Sequence, residues 1–298
     1  MVKLAKKRES FGDQVFNVSL YVIMVILMLV TLYPFWSQVV LSFEAGSAAY
    51  STGFLLIPSK FTFESYKLAL EYKMLWIGYG NTILRTVTAV ILSITVTSLT
   101  AYPLSKKGLP FNQGFTLIIL FTMLFGGGLI PNYLLIKNLG LYDSMWALIL
   151  PGTVSAFNVL IMRNFFRSIP ESLEESAKVD GAGHFRIFST IILPLSTPVL
   201  ATVALWVGVA HWNAWFDGMI YISDPNKQVL QVILRRIIVE NNVTDLNALL
   251  LKMQNKTSFT GRQLQATMIM FSIIPMLIVY PFVQKYFAKG IMIGAIKG

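Results

Sequence analysis

Long apolar runs separated by short polar segments dominate this chain. Six of the runs are long enough to cross a bilayer as helices, which takes about 20 residues each. They cover residues 17–43, 80–103, 115–136, 144–164, 190–213 and 264–284. The pattern therefore predicts an all-α, polytopic membrane protein with six transmembrane helices.

The first run follows a basic N-terminal segment, as the apolar core of a signal peptide does. Lys3, Lys6, Lys7 and Arg8 precede it, and small residues at 45–49 imitate a cleavage site. The apolar run is longer than the roughly 7–15 residues of a signal-peptide core. We therefore expect an uncleaved membrane anchor.

Composition supports a membrane protein and excludes several kinds of site. Hydrophobic residues make up 55%, charged residues only 13%, and the mean hydropathy is +0.64. The net charge of +10 comes from Lys and Arg scattered between apolar blocks, so no basic stripe for nucleic acid is present. There is no cysteine, which excludes disulfides, thiolate metal sites and cysteine nucleophiles.

The positive charges predict the orientation in the membrane. With both termini cytoplasmic, the inner segments hold 13 Lys and Arg in 68 residues and the outer segments hold 10 in 93. This bias has the sign of the positive-inside rule. The segments compared are 1–16, 104–114, 163–189 and 285–298 inside, and 44–79, 137–143 and 214–263 outside. Segment 163–189 is therefore expected to face the cytoplasm.

The spans and the charges together predict how the chain is divided. The expected parts are a cytoplasmic tail at 1–16, a first transmembrane helix at 17–43, an external loop at 44–79, a transmembrane core at 80–288 and a cytoplasmic tail at 289–298. The core includes a polar loop at 168–183, between the fourth and fifth spans. That loop carries the most informative pattern in the sequence.

A short acidic helix is predicted at 168–180. Ser168 with Glu171 fits a capping box, and Pro170 suits a first turn. Asp180-Gly181 would end the helix, since glycine readily takes the left-handed conformation. Leu173 and Ala177 share one face. The segment is either an ordinary solvated loop helix or a helix that docks on a partner.

Gly181 is followed by nine residues and then by Ile191-Ile-Leu-Pro194. This arrangement resembles the Glu-Ala-Ala…Gly…Ile-x-Leu-Pro loop of binding-protein-dependent ABC importer permeases. Glu175, Ala177 and Gly181 match the family's Glu, second Ala and Gly, while Ser176 replaces the first Ala. In that family the loop is the coupling helix, which sits in a groove of the cytoplasmic ATPase. The resemblance thus implies a coupling role for the loop residues Glu174, Glu175, Ser176, Ala177, Asp180 and Gly181.

The resemblance covers most of residues 75–298, and the tail from Lys289 looks like the ending of carbohydrate-uptake permeases of the maltose type. The run from Gly126 to Gly140 resembles the subgroup associated with lipoprotein and polysaccharide uptake. The family implies a non-catalytic, multi-pass subunit of the bacterial cytoplasmic membrane. The implied partners are a second related permease, two cytoplasmic ATPases that bind the ATP, an extracytoplasmic solute-binding protein, and a sugar or oligosaccharide.

The residues of the chain exclude some mechanisms independently. There is no Gly-x4-Gly-Lys-Ser/Thr phosphate loop, so ATP binding here is not expected. No acidic residue lies within the six spans, which disfavours an ion-coupled carrier. His211 is the one titratable candidate there, and we interpret it as an interface residue. No nucleophile, Asp pair or His-Glu-x-x-His pattern indicates an enzyme. An ion-coupled carrier and a permease for another solute stay as alternatives.

Polar or small residues inside three spans are candidates for the translocation path. Gly127 lies in a glycine run that would break the third span, beside either a watery cavity or a closely packed helix. Ser155 and Asn158 share a face of the fourth span, where a buried amide needs a partner. Thr202 and Trp206 share a face of the fifth span; the indole would stack on a sugar ring or pack against a neighbouring helix.

Two other features are assigned no part in transport at this stage. Arg85, about five residues inside the second span, is expected to snorkel to the outer surface. The aromatic and polar cluster at 211–217 is typical of an interfacial aromatic belt. The outer loop 214–263 is long and polar, and we expect it to be available to an external binding protein.

Overall fold

A computed structural model describes residues 10–45, 54–238 and 261–295, with side chains described as far as residue 281. The elements in these ranges are helical, apart from an isolated bridge between Glu44 and Phe61. The helices are α1 (Phe11–Phe43), α2 (Glu64–Glu71), α3 (Lys73–Ser105), α4 (Asn112–Leu124), α5 (Leu129–Asn138), α6 (Trp146–Gly152), α7 (Ala156–Ser168), α8 (Glu171–Val179), α9 (His184–Leu195), α10 (Thr197–Asn213), α11 (Phe216–Tyr221), α12 (Leu230–Ile238) and α13 (Gly261–Ala295).

Three helices in the described part are long and apolar enough to cross a membrane by length and composition. They are α1, α3 and residues Gly261–Pro281 of α13. Three pairs of helices pass the same test together but are bent, by 110° between α4 and α5, 50° between α6 and α7, and 78° between α9 and α10. Counting each pair as one span gives up to six spans, which agrees with the sequence prediction.

The bends lie where proline or glycine interrupts the helical hydrogen bonds. Gly128, between α4 and α5, has φ +81°, a conformation that glycine adopts without a steric penalty. The break expected at this glycine run is therefore observed. The sequence also predicted unbroken helices over 144–164 and 190–213. The structure instead bends the first after Pro151 and the second at Ser196, between two prolines.

One turn of α9 is wider than an α-helix. Residues Phe188–Ile192 form a π-helical turn between His184–Ile187 and Leu193–Leu195. Such a turn amounts to one extra residue inserted into a regular helix. It lies between the loop that ends at Gly183 and the bend at Ser196.

The chain divides into two compact units, the first formed by Met1–Glu71 with Val243–Phe271. Its described part has a buried polar centre. The Ser65 hydroxyl donates to the Ser42 carbonyl at 3.0 Å and contacts the Thr267 hydroxyl at 2.8 Å. Glu44 is buried and accepts hydrogen bonds from the backbone N–H groups of Ser59 and Lys60. The carboxylate thus holds the segment after α1.

The second unit, Tyr72–Asn242 with Ser272–Gly298, is built around α3. Helices α7, α10 and α12 pack against α3. Their shared core includes Ala89 of α3, Val159 and Met162 of α7, and Val203 of α10, all fully buried. Helix α3 therefore contacts both the region of α8 and the segment after α10.

Candidate functional site

Helix α8, the predicted coupling helix, begins differently from the sequence prediction. Ser168 does not cap it, because this serine is the last residue of α7 and its hydroxyl donates to the Phe165 carbonyl at 2.7 Å. Ile169 is extended, as residues before proline prefer, and Pro170 precedes the first helical residue. The proposed capping box of Ser168 and Glu171 is therefore wrong.

The end of α8 is formed as the sequence predicted. Gly181 has φ +79° and follows Asp180, the residue that caps α8 after Val179. Its N–H donates to the Lys178 carbonyl at 3.0 Å, and the Ala182 N–H donates to the Ala177 carbonyl at 2.9 Å. These two bonds form a Schellman motif, which requires a left-handed residue at Gly181.

Two ion pairs hold α8 against the end of α3. Lys106 pairs with Glu174, whose side chain is almost fully buried, and the same ammonium lies 4.4 Å from the centre of the Tyr102 ring. Lys107 pairs with Glu171 at 2.9 Å in an exposed position. The hydrogen bond and charge of Lys107 lower the pKa of Glu171. Glu174 is thus an anchor of α8 rather than part of its free surface.

The other predicted coupling residues are more exposed. Glu175, Ser176, Asp180 and Gly181 are exposed, as are the apolar side chains of Leu173 and Val179. Ala177 is half-buried and packs against the core shared with α3 and α7. The helix therefore presents a mixed polar and apolar surface to whatever lies beyond it.

A cavity of about 890 Å³ opens beside α8. Its lining comes from the end of α3 and the turn after it, from the end of α7, from α8 and from α9, and includes Tyr102, Lys107, Arg167, Glu175, Lys178 and Phe185. The side of α8 that lines the cavity is held by the ion pairs of Glu174 with Lys106 and of Glu171 with Lys107.

The residues predicted for the translocation path lie at three separate places. Gly127 is exposed in the break between α4 and α5. Ser155 is half-buried in the break before α7, and Asn158 is buried one turn later. Thr202 is half-buried, and its hydroxyl donates to the Pro198 carbonyl of its own helix at 2.8 Å.

Trp206 connects the exposed faces of α7 and α10. Its ring centre is 5.6 Å from that of Phe157, and both side chains are exposed, by 37% and 48%. Two exposed amides continue these faces, Asn213 on α10 and Asn164 on α7, each seven residues from the nearer aromatic residue. Sequence reasoning missed Phe157, Asn164 and Asn213, although the seven-residue spacing of Asn164 from Phe157 and of Asn213 from Trp206 was a usable signal.

Arg85 is not at the surface, so the prediction that it snorkels is wrong. Its side chain is 2% exposed and forms an ion pair with Asp217 of α11. The guanidinium also donates to His211 Nδ1 at 3.1 Å, and to the carbonyls of Ala214 and Leu148 at 3.3 Å each. A charge with this many acceptors has no need to reach water. One side chain thus joins α3, α6, α10 and α11.

The cluster at 211–217 is correspondingly more than an aromatic belt. His211 and Trp212 are buried, and the Trp212 indole N–H donates to the Ser272 carbonyl at 3.2 Å. Gly152 lies beside the His211 ring, where a Cβ would be in ordinary van der Waals contact at 3.7 Å from Nε2. Two features of the sequence pointed to this ion pair: Arg85 is a lone arginine in an apolar run, and Asp217 is a lone aspartate among aromatic residues.

The loop at 137–143 and the segment after α11 are tied together by Asp143. Its carboxylate accepts hydrogen bonds from the N–H groups of Ser223 at 2.9 Å and Asp224 at 3.0 Å, and from Lys227 Nζ at 3.1 Å. The bond from Asp224 and the contact with Lys227 lower the pKa of Asp143 to about 2. The side chain of Asn81, on α3, donates to the carbonyls of Asn226 and Gln228 at 2.9 Å each.

Comparisons with known proteins place this architecture in a family. Residues 110–293 match the family described as "Binding-protein-dependent transport system inner membrane component". The polygalacturonan/rhamnogalacturonan transport system permease protein YtcP of Bacillus subtilis (strain 168) is 37% identical over 96% of this chain and 99% of its own length. Protein LplC of the same organism is 38% identical over 90% of each chain.

A solved structure has the same fold over nearly the whole chain. It comes from the crystal structure of a bacterial ABC transporter involved in the import of the acidic polysaccharide alginate. The TM-score is 0.89 at 35% identity, with 94% of this chain and 99% of that chain covered. The chain therefore belongs to the binding-protein-dependent transport system inner membrane components: it is a non-catalytic transmembrane permease subunit of an ABC transporter, whose ATP is handled by the ATPase partner.

Proposed function

We propose that this chain forms half of the translocation path of an oligosaccharide importer and that α8 receives the movement of a cytoplasmic ATPase. Carbohydrates are the transported substances named for similar permeases, namely polygalacturonan, rhamnogalacturonan and alginate. Membership of the family removes the ion-coupled carrier as an alternative. The complete importer would contain a second permease, two ATPases and an extracytoplasmic binding protein.

The single observation that carries the coupling role is how α8 is held. Glu174 is fixed by Lys106, while Leu173, Glu175, Ser176 and Val179 remain exposed. A partner that binds the exposed face can displace such a helix, and the contacts of its fixed face transmit the displacement. The displacement of α8 would reach α3 through the ion pair between Glu174 and Lys106.

The faces of α7 and α10 support a path for sugars. The paired rings of Phe157 and Trp206 offer apolar faces to the C–H groups of a sugar ring, and the amides of Asn164 and Asn213 would bond its hydroxyls. Asn213 Nδ2 donates to the Val209 carbonyl at 2.9 Å, which leaves its second N–H and its Oδ1 for a sugar. Asn213 lies about 10 Å along α10 from Trp206. An oligosaccharide would therefore meet alternating ring and amide contacts.

The positive-inside bias supports placing both termini and α8 in the cytoplasm of a bacterial cell. Residues 137–143 and 214–238, the latter being part of the predicted outer loop 214–263, would then face outward; residues 239–260 of that loop lie outside the described residues. The hydrogen bonds of Asp143 and Asn81 hold these outer segments together, which suits a surface on which a binding protein lands.

Two substitutions in the loop test the coupling role. Gly181→Pro cannot adopt φ +79° and removes the N–H that bonds the Lys178 carbonyl, and Glu175→Lys reverses an exposed charge. Each should abolish uptake and the coupling of ATP hydrolysis to it, while membrane insertion and affinity for the binding protein stay unchanged. Radiolabelled oligosaccharide uptake and ATPase assays in proteoliposomes measure these effects.

Matched variants serve as controls. Gly181→Asn should retain uptake, because asparagine tolerates the left-handed conformation. Glu71→Lys reverses an exposed charge outside the loop and should also retain it. A thiol introduced by Ser176→Cys would be the sole one in the chain and should cross-link to the ATPase. Normal transport by the Gly181→Pro and Glu175→Lys proteins would refute the docking role.

A further inference from the structure

Helix α3 has features that set it apart from the bent spans of its unit. The other apolar segments between residues 112 and 213 are interrupted by bends of 50° to 110°, whereas α3 runs unbroken from Lys73 to Ser105. No glycine or proline lies between Arg85 and Pro103. Pro103 lies in the last turn of α3, so the stretch without the usual positions for a kink is 85–102. Movement at one end is therefore carried to the other.

The far end of α3 is bound to the segment 214–238. Within one helical turn, Asn81 donates to two backbone carbonyls, the Thr82 hydroxyl accepts from the Leu230 N–H at 2.8 Å, and Arg85 pairs with Asp217. These contacts are polar and directional, and the Arg85 side chain is 2% exposed while that of Asp217 is 28% exposed. The segment must follow α3 if α3 moves.

The near end of α3 is bound to α8 and α7. Lys106 and Lys107 pair with Glu174 and Glu171, and the Arg163 guanidinium donates to the Leu104 carbonyl at 3.1 Å. Arg85 and Lys106 are 21 positions apart in the sequence, which corresponds to about 31 Å along a helix axis. This length matches the roughly 30 Å hydrocarbon thickness of a bilayer.

We infer that α3 is a rod that carries movement between α8 and the segment 214–238, with Arg85 as the positioning residue at its far end. The inference rests on the proposed function, which makes α8 the site where ATPase movement enters. Arg85 contacts no substrate in this scheme. Its part is to keep Asp217, His211 and the carbonyls of Leu148 and Ala214 in fixed relation to α3.

The test follows the movement of the segment without any substrate. Ser223→Cys introduces a single thiol at an exposed position whose backbone N–H, not its side chain, bonds Asp143. The assembled transporter in nanodiscs is treated with ATP and vanadate, and the rate of reaction with a water-soluble maleimide is measured. We expect the rate to change on ATP–vanadate trapping, and Arg85→Gln to reduce that change about fivefold or more.

Several variants separate positioning from mere folding. Arg85→Lys keeps a charge for Asp217 but loses the forked donor geometry, so it should recover part of the response. Arg236→Gln removes a charge from the same segment and should leave the response intact. If Arg85→Gln prevents assembly, Arg85→Gln with Asp217→Asn avoids leaving the half-buried Asp217 carboxylate without its cation and should assemble with the response still reduced.

The outcomes distinguish the rod from the proposed function. An equal response in the Arg85→Gln transporter and the parent would overturn the rod and leave the coupling role of α8 standing. A parent that shows no response to ATP and vanadate would overturn the rod too. In that case only the uptake assays of the Gly181→Pro variant decide whether the coupling role survives.

Discussion

At the residue scale, the polar side chains that matter most here are those removed from water. Glu174, Arg85 and Glu44 are all buried. Glu174 is matched by the Lys106 cation, Glu44 by two backbone donors, and Arg85 by the Asp217 carboxylate and three further acceptors. Hydropathy along the chain did not identify Arg85, because its partners lie more than 60 residues away in sequence. Gly181 was identified from the sequence, because a helix end that needs a left-handed residue is marked by a glycine at the end of the helical pattern.

The ion pair of Glu174 and Lys106 gives a stability prediction. Glu174→Gln leaves the Lys106 ammonium without its partner, at a cost of about 1–3 kcal/mol, because Lys106 remains partly exposed. The apparent melting temperature of the purified transporter should fall accordingly. Glu171→Gln alters only an exposed pair and should change the melting temperature much less. Equal effects of both substitutions would contradict the assignment of Glu174 as an anchor.

Asp143 gives a prediction about pH. Its pKa is about 2 in the folded protein, below the ordinary value of 3.8, so the stabilisation it provides is present above pH 3.8 and is lost as pH falls towards 2. Hydrogen exchange at Ser223 and Asp224, corrected for intrinsic rates, should accelerate over that range. Asp143→Asn should show fast exchange already at neutral pH. If the corrected exchange rates of Ser223 and Asp224 in the Asp143→Asn protein still fell as the pH rose from about 2 to about 4, a group other than Asp143 would be responsible for the pH dependence.

At the element scale, close approach of helices depends on particular glycines. Gly78 of α3 faces α12, and a Cβ there would lie 2.6 Å from Ile233 Cδ1 and 3.0 Å from Leu230 Cα. The sequence predicted the spans and the break at the glycine run of the third, but not the bends of the fourth and fifth, although Pro151, Pro194 and Pro198 were visible signals. The length of an apolar run indicates whether a segment can cross the bilayer, but it does not show where the helix is interrupted.

Gly78→Ala should therefore destabilise the packing of α12 on α3. The added methyl group meets the backbone of Leu230, so α12 must shift, at a cost of about 1–3 kcal/mol. Gly80→Ala is a matched control two residues along the same helix, where a Cβ meets no atom within 4 Å. Thermal unfolding of the two purified variants is the measurement, and a Gly80→Ala protein that is the less stable of the two would contradict this view of the interface.

At the scale of the whole molecule, the sequence predicted the fold class and the family because both depend on patterns spread over the chain. Six apolar runs and a loop with fixed spacing are such patterns. The network around Arg85 and the ring pair of Phe157 and Trp206 depend on how distant segments meet, which no local pattern specifies.

Uptake by the complete transporter should depend on ATP and not on a proton gradient. Vanadate should stop it, because vanadate traps the ATPase partner, while a protonophore should leave uptake by proteoliposomes loaded with ATP unchanged. The permease reconstituted without its ATPase should move no oligosaccharide. Uptake that persisted in vanadate and collapsed with the protonophore would be incompatible with the proposed mechanism.

The π-helical turn at Phe188–Ile192 lies between Gly181 and Pro194, so the number of residues between these two positions affects how the helix is oriented. Deleting Ser189 would convert the turn to a regular α-helix and rotate His184–Ile187 by about 100° relative to the residues that follow. The buried side of Ile187 would then turn away from its neighbours. We therefore expect insertions and deletions to be tolerated before Pro170 more readily than after Gly183, because only those after Gly183 rotate one part of a helix relative to the next.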